Sequence, residues 1–364
     1  MAETRHDWIN KLGDISPLIK SMNLIKTEND SVYGDAMSKQ FNNFIAYKLS
    51  SSDAHNVKIV TTLQKLFGLG TPVEKLKKLI VDLTSLTSNT YGTFAEICGY
   101  ELIAETGLLF DIQVPVTGGE ILNTKGSEID GCFKFGEGIL FDIKAFGLIE
   151  YTIGELQKKL SEQFPCRFVA INDGADTDIE VITDLLGKGF KSLVVELRNN
   201  ITTKHGKLEI TLRKPNPVQI TTGILDPYEL AENNANYAFR FAKQFARAKP
   251  FILIFVAHPW MGGSRLSTNF HNDTGIFTRS FSRRTFMQFQ NDKSDVLGMS
   301  KSDASRLISG ILFYNACPEA VGSDAVIRLF TNPFAKNMID NVVIRLLREK
   351  LPNLAVDDFR HDKY

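Results

Sequence analysis

The sequence predicts an α/β protein, a mixed β-sheet flanked by helices and preceded by a helical N-terminal region. Three observations predict it. The run FILIFVA (251–257) is apolar at every position, the mark of a strand buried on both faces. The segments SEIDGCFKF and GILFDIKAF alternate apolar and polar side chains around Gly136, Glu137 and Gly138, as a hairpin with one apolar face does. Residues 1–90 instead repeat their apolar positions at helical spacing, for example through Met37, Phe41, Phe44 and Ile45.

Each element follows from a local signal. TPVEKLKKLIVDL predicts a helix, with Thr71 as N-cap, Pro72 at the first position and Glu74 closing a capping box. FAEICGYELIAETG predicts a helix ending at Gly107, and LLFDIQV, SEIDGCFKF and GILFDIKAF predict three strands after it. ELQKKLSEQF is expected to be helical and CRFVAIN a strand. DIEVITDLLGKGFKSLVVEL holds either one helix or a helix and a strand divided near Gly187 and Gly189. KLEITLRK alternates as an exposed strand, and YELAENNANYAFRFAKQFARA reads as one long helix feeding FILIFVA. IFTRSFSRRTFMQF is a further helix, SRLISGILFY and AVIRLF are strands, and VVIRLLRE is the last helix. The one boundary is near residue 90: a helical N-terminal region over 1–90, then an α/β domain with insertions and a C-terminal extension over 91–364.

Composition narrows the function classes. An apolar fraction of 43% in 364 residues is that of a folded globular chain, and no apolar run approaches the roughly 20 residues that span a bilayer, so no membrane partner is expected. The start MAETRHDWINKL lacks the apolar stretch of a secretory signal. Cys98, Cys132, Cys166 and Cys317 are scattered without disulfide or zinc spacing, which reads as reduced thiols in a cytoplasmic protein. The 42 basic and 42 acidic residues cancel, so any attraction to nucleic acid must come from local patches.

The hairpin carries the chemistry. Ile129, Phe133, Phe135, Ile139, Phe141 and Ile143 fall on one parity, whereas Asp130, Cys132, Lys134, Asp142 and Lys144 fall on the other. With Gly136, Glu137 and Gly138 as a three-residue loop, Phe135 pairs with Ile139, Asp130 faces Lys144 and Cys132 faces Asp142. Two carboxylates and an ammonium then converge. A surface hairpin with one polar face shows the same alternation. Leu140 on the charged face argues for partial burial, where a divalent cation is the partner that lets two carboxylates sit together.

The order of these residues resembles the PD-(D/E)XK, or restriction-endonuclease-like, nuclease superfamily: a helical glutamate, a strand aspartate, then Asp/Glu-x-Lys on the next strand. The resemblance covers about 50 residues, with Glu96 of FAEICGYEL a better match to the helical acid than Glu101, and Ile129 standing where proline is common. It implies a restriction-endonuclease-like core, phosphodiester hydrolysis most readily in DNA, and Mg²⁺ (or Mn²⁺) held by Asp130, Asp142 and the Ile143 carbonyl. Glu96 would bind a metal-held water or a second ion. Lys144 would position the attacking water and stabilise charge on the phosphoryl oxygens. A restriction or defence-type role and a homodimer, which would pair two sites for double-strand cutting, belong to the same expectation.

Two basic clusters are candidate phosphate contacts: Arg240, Lys243 and Arg247 on one face of the long helix, and Arg279, Arg283 and Arg284. A solvated helix face is the plainer account of each. His258 after the apolar strand and the paired Gly262 and Gly263 carry no recognisable motif. Two rivals remain: an inactive nuclease-fold module that binds nucleic acid or assembles with other proteins, and a metal-dependent phosphohydrolase of small substrates.

Overall fold

The computed structural model describes residues 3–33, 41–85, 90–146, 148–173, 179–214, 228, 231–232, 234, 236–257, 271–316 and 327–362. Met37, His258, Gly262, Gly263 and Cys317 lie outside them. The N-terminal region is helical: α1 (Arg5–Ile15), α2 (Pro17–Ser21), α3 (Leu24–Thr27), α4 (Phe41–Ser50), α5 (Asp53–Gly68) and α6 (Val73–Thr84). A capping box between Thr4 and Asp7 starts α1, and Ser52 caps α5 by accepting from the His55 amide. Pro72 itself is the N-cap of α6, so that helix begins one residue later than Thr71 capping predicts. Two short strands, β1 (Glu3–Thr4) and β2 (Val32–Tyr33), pair beside α1.

Helix α7 (Thr90–Glu105) leads into β3 (Phe110–Val116), β4 (Ser127–Phe133) and β5 (Ile139–Phe146), which are antiparallel neighbours. The chain then builds a module of its own from α8 (Leu148–Gln163), β6 (Phe168–Asp173), α9 (Ile179–Leu186), α10 (Phe190–Asn199), β7 (Thr202–His205) and β8 (Leu208–Arg213). Its three strands form a separate sheet in the order β6-β8-β7, and its side chains close a separate core around Leu156, Leu160, Leu193 and Ile210. The segment around Gly187 and Gly189 divides two helices, not a helix and a strand.

The chain returns to the main sheet as β9 (Phe251–Ala257), whose seven residues are all buried. Helix His271–Arg283 continues as a π turn through Gln288. Then follow β10 (Asp295–Val296), β11 (Met299–Ser300), β12 (Gly310–Asn315), β13 (Ile327–Thr331), helix Asn341–Lys350 and β14 (Leu354–Asp357). The mixed seven-stranded sheet has the order β14-β13-β12-β9-β5-β4-β3, with β5, β9 and β12 parallel at its centre. One face is covered by the N-terminal helices, α7 and helix Asn341–Lys350, the other by helix His271–Arg283 and a 3₁₀ segment, Tyr237–Gln244. Residue 90 begins α7, but packing does not break there: Trp8, Leu63, Leu79, Phe94, Phe141 and Ile254 share one apolar core. Among the described residues no helix is long and apolar enough to cross a membrane.

Three local expectations are corrected. The β4–β5 register is Phe133 with Ile139, Cys132 with Leu140 and Gly131 with Phe141, two residues away from the predicted pairing. The loop is longer because Gly136 (φ +55°) and Gly138 (φ +89°) both take left-handed conformations and the Lys134 amide donates to the Leu109 carbonyl instead of to β5. A shift of two keeps the faces unchanged. Parity fails only at Ile129, which packs in the core opposite to that of Phe133 and Phe141. Gln113 (φ +48°) bends β3 there, and the ladder omits the Gln113–Asp130 pair while keeping register on either side.

The third correction is the long helix before β9. Residues 237–244 are a 3₁₀ helix, and the chain beyond it is drawn into extended contact with 120–123. Leu122 and Asn123 amides donate to the Phe245 and Lys243 carbonyls, and the Arg247 amide donates to Glu120. Upstream, residues 228, 231 and 232 are helical and Asn234 and Asn236 are in turns.

Candidate functional site

The site forms where β4 and β5 part. Above the Gly131–Phe141 pair, Asp130 Oδ2 accepts from the Ile143 amide at 2.6 Å, so a carboxylate replaces the backbone acceptor of the ladder. The Tyr100 hydroxyl of α7 donates to the Asp130 carbonyl at 2.8 Å and holds the strand from the other side. Two glycines permit this closeness. A Cβ on Gly131 would stand 2.1 Å from Phe141 Cζ, and one on Gly99 would stand 2.8 Å from Ile143 Cδ1. Gly99 therefore lets α7 press against β5 and brings Glu96, about one turn earlier, over the site.

Asp142 is fully buried, and Lys144, two residues along the same strand face, puts its Nζ 2.8 Å from Asp142 Oδ2 and 3.7 Å from Asp130 Oδ2. The Lys144 ammonium engages the Asp142 carboxylate, and among the described residues no backbone amide or hydroxyl donates to it. Burial, and then the adjacent Asp130 carboxylate, push the Asp142 pKa well above the usual carboxylate range. Glu96 is raised in the same way, by burial first and then by Asp130. Burial alone would lower the Lys144 pKa, but Asp142 and Asp130 outweigh it and hold the ammonium charged. Its Nζ also stands 5.7 Å from the Phe241 ring centroid of the 3₁₀ segment.

Asp130, Ile143, Lys144 and Glu96 line a cleft of about 310 Å³ together with Lys78, Asp82, Gln113, Glu128 and Gln244, whereas the fully buried Asp142 does not line it. Alternation along β5 turns the Ile143 main chain toward β4, the side on which its amide meets Asp130. Glu101, the alternative helical acid, is ion-paired with Lys58 at 2.5 Å. Lys78 and Asp82 of α6 were missed by sequence reasoning. Their i, i+4 spacing on the polar side of an amphipathic helix looks like any solvated face. Gln113 carries no sequence signal, because a glutamine does not announce the left-handed backbone it takes here.

The basic clusters are placed differently. Arg240 and Lys243 are exposed on the 3₁₀ segment that also supplies Gln244 to the cleft. Arg247 is not on a shared helix face with them, and its Nε donates to the Ile121 carbonyl at 2.9 Å. Arg279 pairs with Asp357 and Asp362, Arg283 with Asp362, and Arg284 with Glu232. These three line a separate cavity of about 950 Å³ that shares no residue with the cleft.

Among the described residues no group of three His, Cys, Asp or Glu side chains forms a ready-made metal cage. The donor set nonetheless fits a hard divalent cation. Mg²⁺ takes one or two protein carboxylates and completes its shell with water and substrate oxygens. Asp142 offers a buried carboxylate to which no described amide or hydroxyl donates, engaged by Lys144 and with the Asp130 carboxylate beside it. No protein-family model, no curated protein and no solved structure matches this chain.

Proposed function

We propose that this chain is a divalent-metal-dependent nuclease of restriction-endonuclease-like fold that hydrolyses phosphodiester bonds, DNA being the first substrate to try. The observation that carries the reading is the convergence of Asp130, Asp142 and Lys144, with Asp130 and Lys144 lining the cleft and the fully buried Asp142 carboxylate 2.8 Å from the Lys144 ammonium. The element order also supports it: a helix with Glu96, a strand with Asp130, a strand with Asp142 and Lys144, then a crossover to the parallel strand β9. Asp130 and Asp142 would hold the cation, with the Ile143 carbonyl as a further donor. A bound Mg²⁺ or Mn²⁺ would supply Lewis acidity toward the phosphoryl oxygens and acidify water.

The chain's own groups do the rest. Lys144, fixed by two carboxylates, points a charged donor where negative charge gathers on the phosphoryl oxygens, and it orients the water that attacks phosphorus. Its raised pKa makes it a poor proton acceptor at neutral pH, which favours positioning over general-base work. Water adds to phosphorus and the bridging P–O bond breaks, leaving a phosphomonoester and a hydroxyl.

The modest size of the cleft also favours a second reading, a phosphohydrolase of small esters. One assay separates them. Wild-type, Asp142→Asn and Lys144→Ala proteins are incubated with duplex DNA, single-stranded DNA, RNA and a small phosphodiester, each with Mg²⁺, Mn²⁺ or EDTA. Cleavage of a polymer by wild type alone, abolished by EDTA, supports the nuclease. Hydrolysis confined to the small ester selects the alternative, and equal residual cleavage by all three proteins refutes both.

A further inference from the structure

The cleft contains a second ammonium group that the proposed hydrolysis does not use. Lys78, on α6 of the N-terminal helical region, lines the same cleft as Asp130 and Lys144 and is held by Glu128 Oε1 at 2.5 Å. Glu128 stands two residues before Asp130 on β4. Both side chains of this pair are about half exposed, 48% and 47%, whereas Lys144 is 19% exposed and engaged by two carboxylates. A half-exposed ion pair is weak and exchanges readily. Lys144 is tied into the carboxylate pair. Lys78 is the cation in the cleft that can change partners.

We propose that Lys78 is a phosphate-binding residue of this site, and that Glu128 occupies it until a nucleic-acid phosphate takes its place. The inference rests on the nuclease reading and adds to it that the N-terminal helices form a wall of the substrate cleft. The phosphate is a better partner than Glu128 because it arrives anchored elsewhere along the polymer, so the exchange trades one charge-assisted contact for another without ordering a free anion. Displaced Glu128, near the cleft mouth, returns to water.

The test is equilibrium binding of a fluorescent duplex and of its single strand to full-length Asp142→Asn protein, in Mg²⁺, between 50 and 200 mM salt. Lys78→Ala in that background is expected to weaken binding several-fold and to lower the slope of log affinity against log salt by about 1, the loss of one phosphate contact. Lys78→Arg should retain the slope, and Glu128→Gln should tighten binding by freeing the ammonium. A change confined to folding would move neither the salt slope nor the opposite response of Glu128→Gln. Unchanged affinity and slope for Lys78→Ala, or weaker binding by Glu128→Gln, overturns the inference and leaves the nuclease reading standing if the parent protein binds. Absence of binding by the parent, together with absence of cleavage by wild type, overturns both.

Discussion

The cleft between β4 and β5 and the cavity beside helix His271–Arg283 both gather charge, yet they do so in opposite ways. In the cavity each of Arg279, Arg283 and Arg284 already has a carboxylate partner, two of them clamped by Asp357 and Asp362 near the C-terminus. At the cleft Glu96, Asp130 and the fully buried Asp142 crowd around the Lys144 ammonium, while Lys78 pairs with Glu128 at the exposed edge. Matched charges describe an element pinned in place. Like charges crowded together and left short of partners describe a site that waits for one.

The sharpest way to break this contrast is to remove charge from each region and measure turnover on whichever nucleic acid is cleaved. Lys144→Ala is expected to lose about 10²–10³-fold in rate, the scale of a removed transition-state donor. The Arg279→Ala, Arg283→Ala double variant is expected to stay within about twofold of wild type, since surface pairs of this kind influence folding more than a distant reaction. Comparable losses in both would erase the distinction.

Packing gives the next largest effect. Gly99→Ala puts a methyl group within van der Waals conflict of the Ile143 side chain and pushes α7 away from β5. Chemical denaturation should show a loss of about 1–3 kcal/mol, typical of overpacking a core, with cleavage falling as Glu96 and Tyr100 retreat from Asp130. Full retention of both would mean that the close approach of α7 does not build the site.

Protons and cations compete for the same carboxylates. Because the Asp142 and Glu96 pKa values are raised on folding, the native metal-free protein binds more protons than the unfolded chain. The stability this lends is fully present below the unfolded carboxyl pKa of about 4 and is lost as pH rises through the folded values. Metal-free protein should accordingly lose melting temperature from mildly acidic to alkaline pH. Mg²⁺ or Mn²⁺ should restore it more at pH 8 than at pH 5, by about 2.7 kcal/mol at a hundredfold excess over Kd. Asp142→Asn should flatten the pH profile and the cation response together. The smallest effect is in the cavity: Arg279→Ala or Arg283→Ala alone should change stability by about 0–1 kcal/mol, because each arginine is over two-fifths exposed.

Much of the site was legible in the sequence because it is local. Asp142 and Lys144 share a face by strand alternation alone, and Asp130 reaches them from the partner strand in either register, since a slip of two preserves the face. The apolar run of β9 identified the centre of the sheet for the same reason. What could not be read depends on distant contacts. The register follows from two left-handed glycines and from Leu109 capturing Lys134; the change of face at Ile129 follows from Gln113. The helix before β9 failed because 120–123 claims its backbone, and the arginines looked available because their acidic partners lie some 80 residues away in the chain. Lys78 and Asp82 became part of the site only when α6 folded against α7.

The central claim is that the Asp130 and Asp142 carboxylates are kept together for a divalent cation. Isothermal titration of Mn²⁺ into metal-free protein at pH 8 tests it without requiring a substrate. Saturable binding to wild type, with proton release, and its loss in both Asp130→Asn and Asp142→Asn, is the predicted result. Equal binding by all three proteins, or none by wild type, contradicts the claim.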